Sequence, residues 1–176
     1  PEPDEHIWTS PKNAELIVKS ICSALEKADP SNAGYYKKNA ENYIYELNRL
    51  DGDIRSAVEG AKRKTVVFAD RFPMRYFADE YGLEYFAAFP GCSSESEPSA
   101  ATISFLIEKV KSEHIPVVFF TETSDGKVAD TICEASGAEK LLFHSCHNIT
   151  KQQFDGKATY ISLMKQNLKA LQTALN

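Results

Sequence analysis

Four histidines occur in the 176 residues, and three of them stand beside groups that bind metal ions. His6 closes the run Asp4-Glu5-His6, with two carboxylates directly before it. His144 and His147 share the run His144-Ser145-Cys146-His147-Asn148. Asp70 and Glu122 each follow a short apolar run. Imidazole nitrogen combined with carboxylate oxygen suits zinc in a tetrahedral site, whereas a set richer in oxygen suits manganese. His6, Asp70 and one of His144 or His147 would supply two nitrogens and one oxygen, with water or Glu122 as a further ligand. Plainer readings stand beside these. His6 can be an exposed histidine in an acidic turn, Asp70 a turn residue or helix cap, and His147 a hydrogen-bonding partner within its own loop. His114 precedes an apolar run and reads as surface structure.

The four cysteines divide by context. Cys22 and Cys133 fall on apolar helical faces and read as small buried hydrophobes. Cys92 and Cys146 both follow expected strands, which allows a disulfide between them in an oxidising compartment if their Cα atoms come within about 4.4–6.8 Å. The competing chemistry is a thiol nucleophile, Cys146 with His144 or His147 as base. No oxyanion-hole signature accompanies it.

These residues need elements to hold them. Ser10 and Pro11 mark a helix start, as a cap and a first-turn proline. Ala14, Ile17, Val18, Ile21, Cys22 and Leu25 follow at helical spacing and predict one buried stripe. Trp8 reads as a packing anchor for the preceding loop. Asp29-Pro30 restarts helical structure, and Tyr36, Ala40, Tyr43, Ile44, Leu47, Leu50, Ile54 and Val58 keep the period as far as residue 61. A continuous helix of that length would span roughly 45 Å. Asp51-Gly52 is the place for a bend that would divide it in two.

The pattern then changes to short β-branched and aromatic runs alternating with amphipathic stretches. Strands are expected at 65–68, 84–89, 116–120 and 141–143, and helices at 72–81, 99–111, 127–136 and 160–175. That alternation predicts an α/β fold, a four-stranded parallel sheet with helices on both faces, preceded by a long helix. The organisation reads as 1–28, a loop and first helix; 29–62, the long helix; and 63–176, the α/β lobe. Ligands of open α/β sheets bind beyond the carboxyl ends of the strands. Asp70, Cys92, Glu122 and the run His144 to His147 all fall there.

Composition is that of an ordinary globular chain, with 43% hydrophobic and 26% charged residues. A net charge of −5 and the lack of a basic stripe exclude nucleic acid as a partner class. No apolar run approaches the roughly 20 residues of a membrane-spanning helix. A chain opening at Pro1 is expected to be a processed or truncated product.

The run Asp4-Glu5-His6-Ile7-Trp8-Thr9-Ser10-Pro11-Lys12-Asn13-Ala14 resembles a signature, Asp-Pro-His-Ile-Trp-x-Ser-Pro-x-Asn-Ala. That signature belongs to the zinc and manganese substrate-binding proteins of ABC importers; here Glu5 replaces the proline. Later segments match in order, including Glu97-Pro98-Ser99 at a helix start. The resemblance covers nearly the whole chain but corresponds to the C-terminal lobe alone. It implies that His6 is a metal ligand and that the long helix is a rigid spine between two lobes. Asp70 falls where many members place a ligand histidine. His144 falls where the family usually places a ligand aspartate, eight positions into the segment beginning at Gly137. The resemblance further implies zinc, with manganese as the alternative, and a further ligand from the missing N-terminal lobe. The implied partner is the membrane permease of the importer. The implied location is extracytoplasmic, periplasm or outer membrane face, with a lipid anchor through the missing N-terminus. The implied role is binding and not catalysis. A metal- or thiol-dependent hydrolase and a metal-free surface or adhesive domain are the alternatives on the same fold.

Overall fold

The computed structural model describes residues 4–89 and 98–176. A 3-10 turn, Ile7–Thr9, leads into α1 (Pro11–Ala28). Ser10 is extended, and its side chain accepts the Asn13 N–H at 3.3 Å. Pro11 follows at a position that needs no intrahelical N–H bond. The apolar stripe of α1 is buried only at its start. Ala14 belongs to the core and Val18 packs at its margin, but Ile21 and Leu25 are 54% and 41% exposed. Periodicity identified the helix and not its cover: the main packing partner of α1 is the next helix, not the sheet.

That next helix, α2 (Ala33–Glu59), runs unbroken for 27 residues, which is about 40 Å. Gly52 carries no break. Glycine here costs about 1 kcal/mol relative to alanine, offset by the fully buried Leu50 and Ile54 on either side. Asp51 adds a polar anchor, accepting from Tyr81 Oη at 3.0 Å and from Arg55 Nε at 3.1 Å. The buried residues of α2 lie from Leu47 onward, so its first half extends past the core beside α1.

β1 (Thr65–Phe68), β2 (Glu84–Ala87), β3 (Val117–Phe120) and β4 (Glu139–Leu142) form one parallel sheet in the order β2-β1-β3-β4. Val66 pairs with Tyr85, Phe68 with Phe119, and Phe119 with Leu141. The connecting helices are α3 (Arg75–Tyr81), α4 (Ala100–Ser112) and α5 (Lys127–Ser136), and α6 (Lys151–Asp155) and α7 (Tyr160–Leu175) follow β4. On one face Phe68 and Phe119 pack with α2, α3 and α7; on the other Val67 and Val118 pack with α4 and α5. The expected parallel sheet covered on both faces, preceded by a long helix, is the fold found.

Three local differences have local causes. α3 begins at Arg75 rather than at 72, because Pro73 keeps Phe72 out of the helical region. Its end at Gly82 has φ +64°, which glycine reaches without steric cost. β4 starts at Glu139, two residues before its apolar run, because it is an edge strand whose outer positions stay exposed. The short α6 was not expected and is nucleated by a capping box between Thr150 and Gln153.

Candidate metal centre

The strand order reverses between β1 and β3, so the crevice for a ligand opens beyond their carboxyl ends. Asp70, directly after β1, is buried there. Its Oδ2 accepts the Thr121 hydroxyl at 2.8 Å and the Thr121 N–H at 3.2 Å, and its Oδ1 accepts the Arg71 N–H at 2.8 Å. Oδ2 therefore clasps the end of β1 to the segment after β3, while Oδ1 caps the turn at Arg71. Thr121, which completes the clasp, carries no sequence signal of the role.

His6 is brought to the same edge by the loop ahead of α1 and is buried. One carboxylate oxygen, Asp4 Oδ1, accepts both the His6 backbone N–H at 2.9 Å and ring Nδ1 at 2.8 Å. A carboxylate oxygen accepts, so Nδ1 carries the ring proton and the lone pair is on Nε2. Thr9 closes the turn, its hydroxyl donating to the His6 carbonyl at 2.8 Å. Three long-range bonds fix the loop in place. Trp8 Nε1 donates to the Ser145 carbonyl at 3.0 Å, Tyr160 Oη to the Trp8 carbonyl at 2.8 Å, and Tyr76 Oη to the Asp4 carbonyl at 3.0 Å. Trp8 is thus the anchor expected of it. Tyr160, which had no assigned role, is the anchor's own support.

The loop after β4 is organised by Glu122. Its carboxylate accepts the Ser145 N–H at 2.8 Å and the Ser145 hydroxyl, and Ser145 Oγ in turn accepts the His147 N–H at 3.2 Å. Burial pushes Glu122 up, but the Ser145 hydrogen bonds outweigh it and hold the carboxyl below its usual range. Cys146 takes a left-handed conformation, φ +59°, and its N–H donates to His144 Nδ1 at 2.9 Å. Beyond this turn the His147 ring lies 5.7 Å from that of His6 and 5.8 Å from that of Trp8, with His6 and Trp8 at 5.3 Å. Three rings from two distant segments therefore form one triangle.

His144 faces elsewhere. It is 1% exposed, and Asn167 of α7 brackets its backbone, accepting the His144 N–H at 2.7 Å and donating to its carbonyl at 2.8 Å. Because His144 Nδ1 accepts from Cys146, the ring proton belongs on Nε2, an atom with no hydrogen-bond partner among the described residues. Neither ring nitrogen offers a lone pair in this arrangement. Glu122 comes to 3.6 Å from His144 Nδ1 without bonding it. His114 sits in a left-handed turn ahead of β3, at the far end of the strands.

Cys146 is a free thiol, and burial pushes it up to about 12. Cys92, its suggested disulfide partner, lies outside the described residues, as do Glu95 and Glu97.

Zinc bound through nitrogens at about 2.0–2.1 Å in tetrahedral geometry holds two imidazole centroids roughly 5–6 Å apart. The separation of His6 and His147 fits that requirement. Asp4, Glu5 and His6 also bring donor atoms within 4.8 Å of one another. The sheet reversal, the loop held against it and the paired imidazoles together make one candidate site for a metal ion.

The family described as ZnuA, the periplasmic component A of a zinc-uptake complex, matches residues 1–174, and the chain belongs to that family. The high-affinity zinc uptake system protein ZnuA of Bacillus subtilis is 36% identical over 172 residues, 98% of this chain and 53% of that protein. The chain therefore spans about half the length of that curated relative. Among solved structures, the metal-dependent lipoprotein YcdH of Bacillus subtilis superposes with a TM-score of 0.86 at 36% identity, covering 98% of this chain and 65% of that one. The Zn(II)-bound ZnuA-like domain of Streptococcus pneumoniae AdcA follows with a TM-score of 0.82 at 32% identity, covering 98% and 64%. Among the described residues, no helix is long and apolar enough to cross a membrane.

Proposed function

We propose that this protein is the C-terminal lobe of an extracytoplasmic receptor that captures zinc and passes it to the membrane permease of an ABC-type importer. The observation that carries the reading is the His6–His147 pair, two imidazoles 5.7 Å apart at the carboxyl edge of the sheet. In this reading His6 and His147 are the lobe's zinc ligands, and water and the missing N-terminal lobe supply the rest. In this reading Asp70 and His144 serve as frame: Asp70 is held by Thr121 and Arg71, and His144 by Asn167 and Cys146. A nitrogen-rich set of this kind favours zinc over manganese.

Capture proceeds by ligand exchange. Water on the arriving ion is replaced by imidazole nitrogen, and the pinned loops need little rearrangement. Residues 1–28 and 29–62 act as connection and spine for the lobe at 63–176, and a lipid anchor lies in the missing N-terminal part. The role is binding and not catalysis. Cys146, the one thiol beside the candidate ligands among the described residues, is protonated at neutral pH and a poor nucleophile.

The test is zinc titration of the metal-free protein. His6→Ala and His147→Ala should each weaken binding by more than the roughly 10–100-fold that loss of an outer-shell partner produces, while His114→Asn leaves it unchanged. Unaltered affinity in both ligand variants would overturn the assignment.

A further inference from the structure

We infer that Asp4 is a positioning residue that selects Nε2 of His6 as the atom that takes the metal; this rests on the reading of His6 as a zinc ligand. The inference comes from the double use of one oxygen. Asp4 Oδ1 accepts the His6 main-chain N–H at 2.9 Å and the His6 ring at 2.8 Å. The first bond fixes the carboxylate relative to the His6 backbone. The second then fixes the ring relative to the carboxylate, so rotation of the imidazole breaks a bond already anchored to its own main chain. Asp4 is held in turn from α3, where the Tyr76 hydroxyl donates to its carbonyl at 3.0 Å. Side-chain exposures of 5% for His6 and 15% for Asp4 leave little room for water to compete.

Two consequences follow. The proton is kept on Nδ1, so the lone pair offered to a metal is on Nε2 and the ring orientation is set from the far nitrogen. Oδ1 of Asp4 is also taken up by His6. The Asp4 donor atom lies within 4.8 Å of those of Glu5 and His6, yet a metal drawn onto Oδ1 would have to displace two hydrogen bonds from His6. Through Oδ1, Asp4 thus orients a nitrogen ligand.

The experiment combines ¹⁵N chemical shifts of the histidine rings with Zn²⁺ affinities measured by competition with a chelating dye. The wild-type metal-free protein should show His6 protonated on Nδ1, and zinc should perturb Nε2. Asp4→Ala should mix the tautomers and weaken zinc about 10–100-fold. Asp4→Asn, which keeps an oxygen acceptor, should retain the tautomer and lose less affinity. Tyr76→Phe loosens the anchor without touching the carboxylate and should leave the tautomer as it was. His6 protonated on Nε2 in the wild type, or Asp4→Ala with unchanged tautomer and affinity, would overturn the inference. The wild-type spectrum decides the tautomer even if Asp4→Ala fails to fold. Wild-type zinc affinity in His6→Ala would instead overturn the ligand assignment and leave the tautomer result standing by itself.

Discussion

The indole N–H of Trp8 donates to the carbonyl of Ser145 at 3.0 Å, across 137 residues of sequence. This bond joins the loop that carries His6 to the loop that carries His147, and Tyr160 secures it by donating to the Trp8 carbonyl. Trp8→Phe keeps an aromatic ring but removes the donor. The expected cost in urea unfolding is about 1–3 kcal/mol, that of leaving the buried Ser145 carbonyl unpaired, with weaker zinc binding alongside it. A Trp8→Phe protein with full stability and full affinity would show that the bond positions nothing.

Trp8 is also the chain's single tryptophan, 5.3 Å from the His6 ring and 5.8 Å from that of His147. Its emission should change on zinc addition with the same midpoint as a direct binding titration. In His147→Ala the fluorescence response should be lost or move to far higher zinc. A response identical to wild type in that variant would place the ion elsewhere.

Glu122 should make the site sensitive to acid. Burial pushes its folded carboxyl up, but the hydrogen bonds from Ser145 help hold it below the ordinary glutamate range. The stability it contributes is therefore complete above pH 4.5 and is lost as pH falls through the lower folded value. Glu122→Gln is expected to cost about 1.5–3 kcal/mol at neutral pH, the range for hydrogen bonds to a charged group. It should also flatten the decline of stability in acid. Urea unfolding at a series of pH values reads both; parallel pH profiles for the two proteins would refute the role.

Asn167 ties α7 to the end of β4 by bracketing the His144 backbone. Asn167→Ala leaves a buried N–H and a buried carbonyl without partners, at about 1–3 kcal/mol for each group. The melting temperature should drop, while zinc affinity measured well below the melt falls only modestly. Loss of zinc binding with unchanged stability would reverse this ranking.

Cys146 should resist alkylation. Burial pushes its thiol up to about 12, so little thiolate exists at neutral pH and access is limited as well. Iodoacetamide is expected to label it only on the timescale of unfolding. Rapid labelling of Cys146 in the native protein would revive the nucleophile reading.

Much of the scaffold was legible because its signals are local. Ser10-Pro11 announces a helix start by the chemistry of two residues, and the apolar run at 65–68 announces a buried strand wherever it is placed. The signature around His6 was legible for the same reason, as a continuous string. Pro73 could have been read too, as the residue that delays α3, and Thr150 with Gln153 as the capping box that starts α6.

What the sequence determined by itself was therefore the list of elements, their order, and the sheet edge at which the chemically capable residues collect. Only the tertiary structure decided which of them meet. His147 faces His6 because Glu122 and Ser145 shape one turn, while His144, three positions earlier, is drawn into the core by Asn167. Asp70 is engaged by Thr121, 51 residues away, and α1 leaves Ile21 and Leu25 uncovered because it lies along α2. The physical reason is common to all three. Periodicity records which face of an element is apolar, but the partner of a side chain depends on strand order and loop closure. Those are set by the packing of the whole chain and written in no single segment of it.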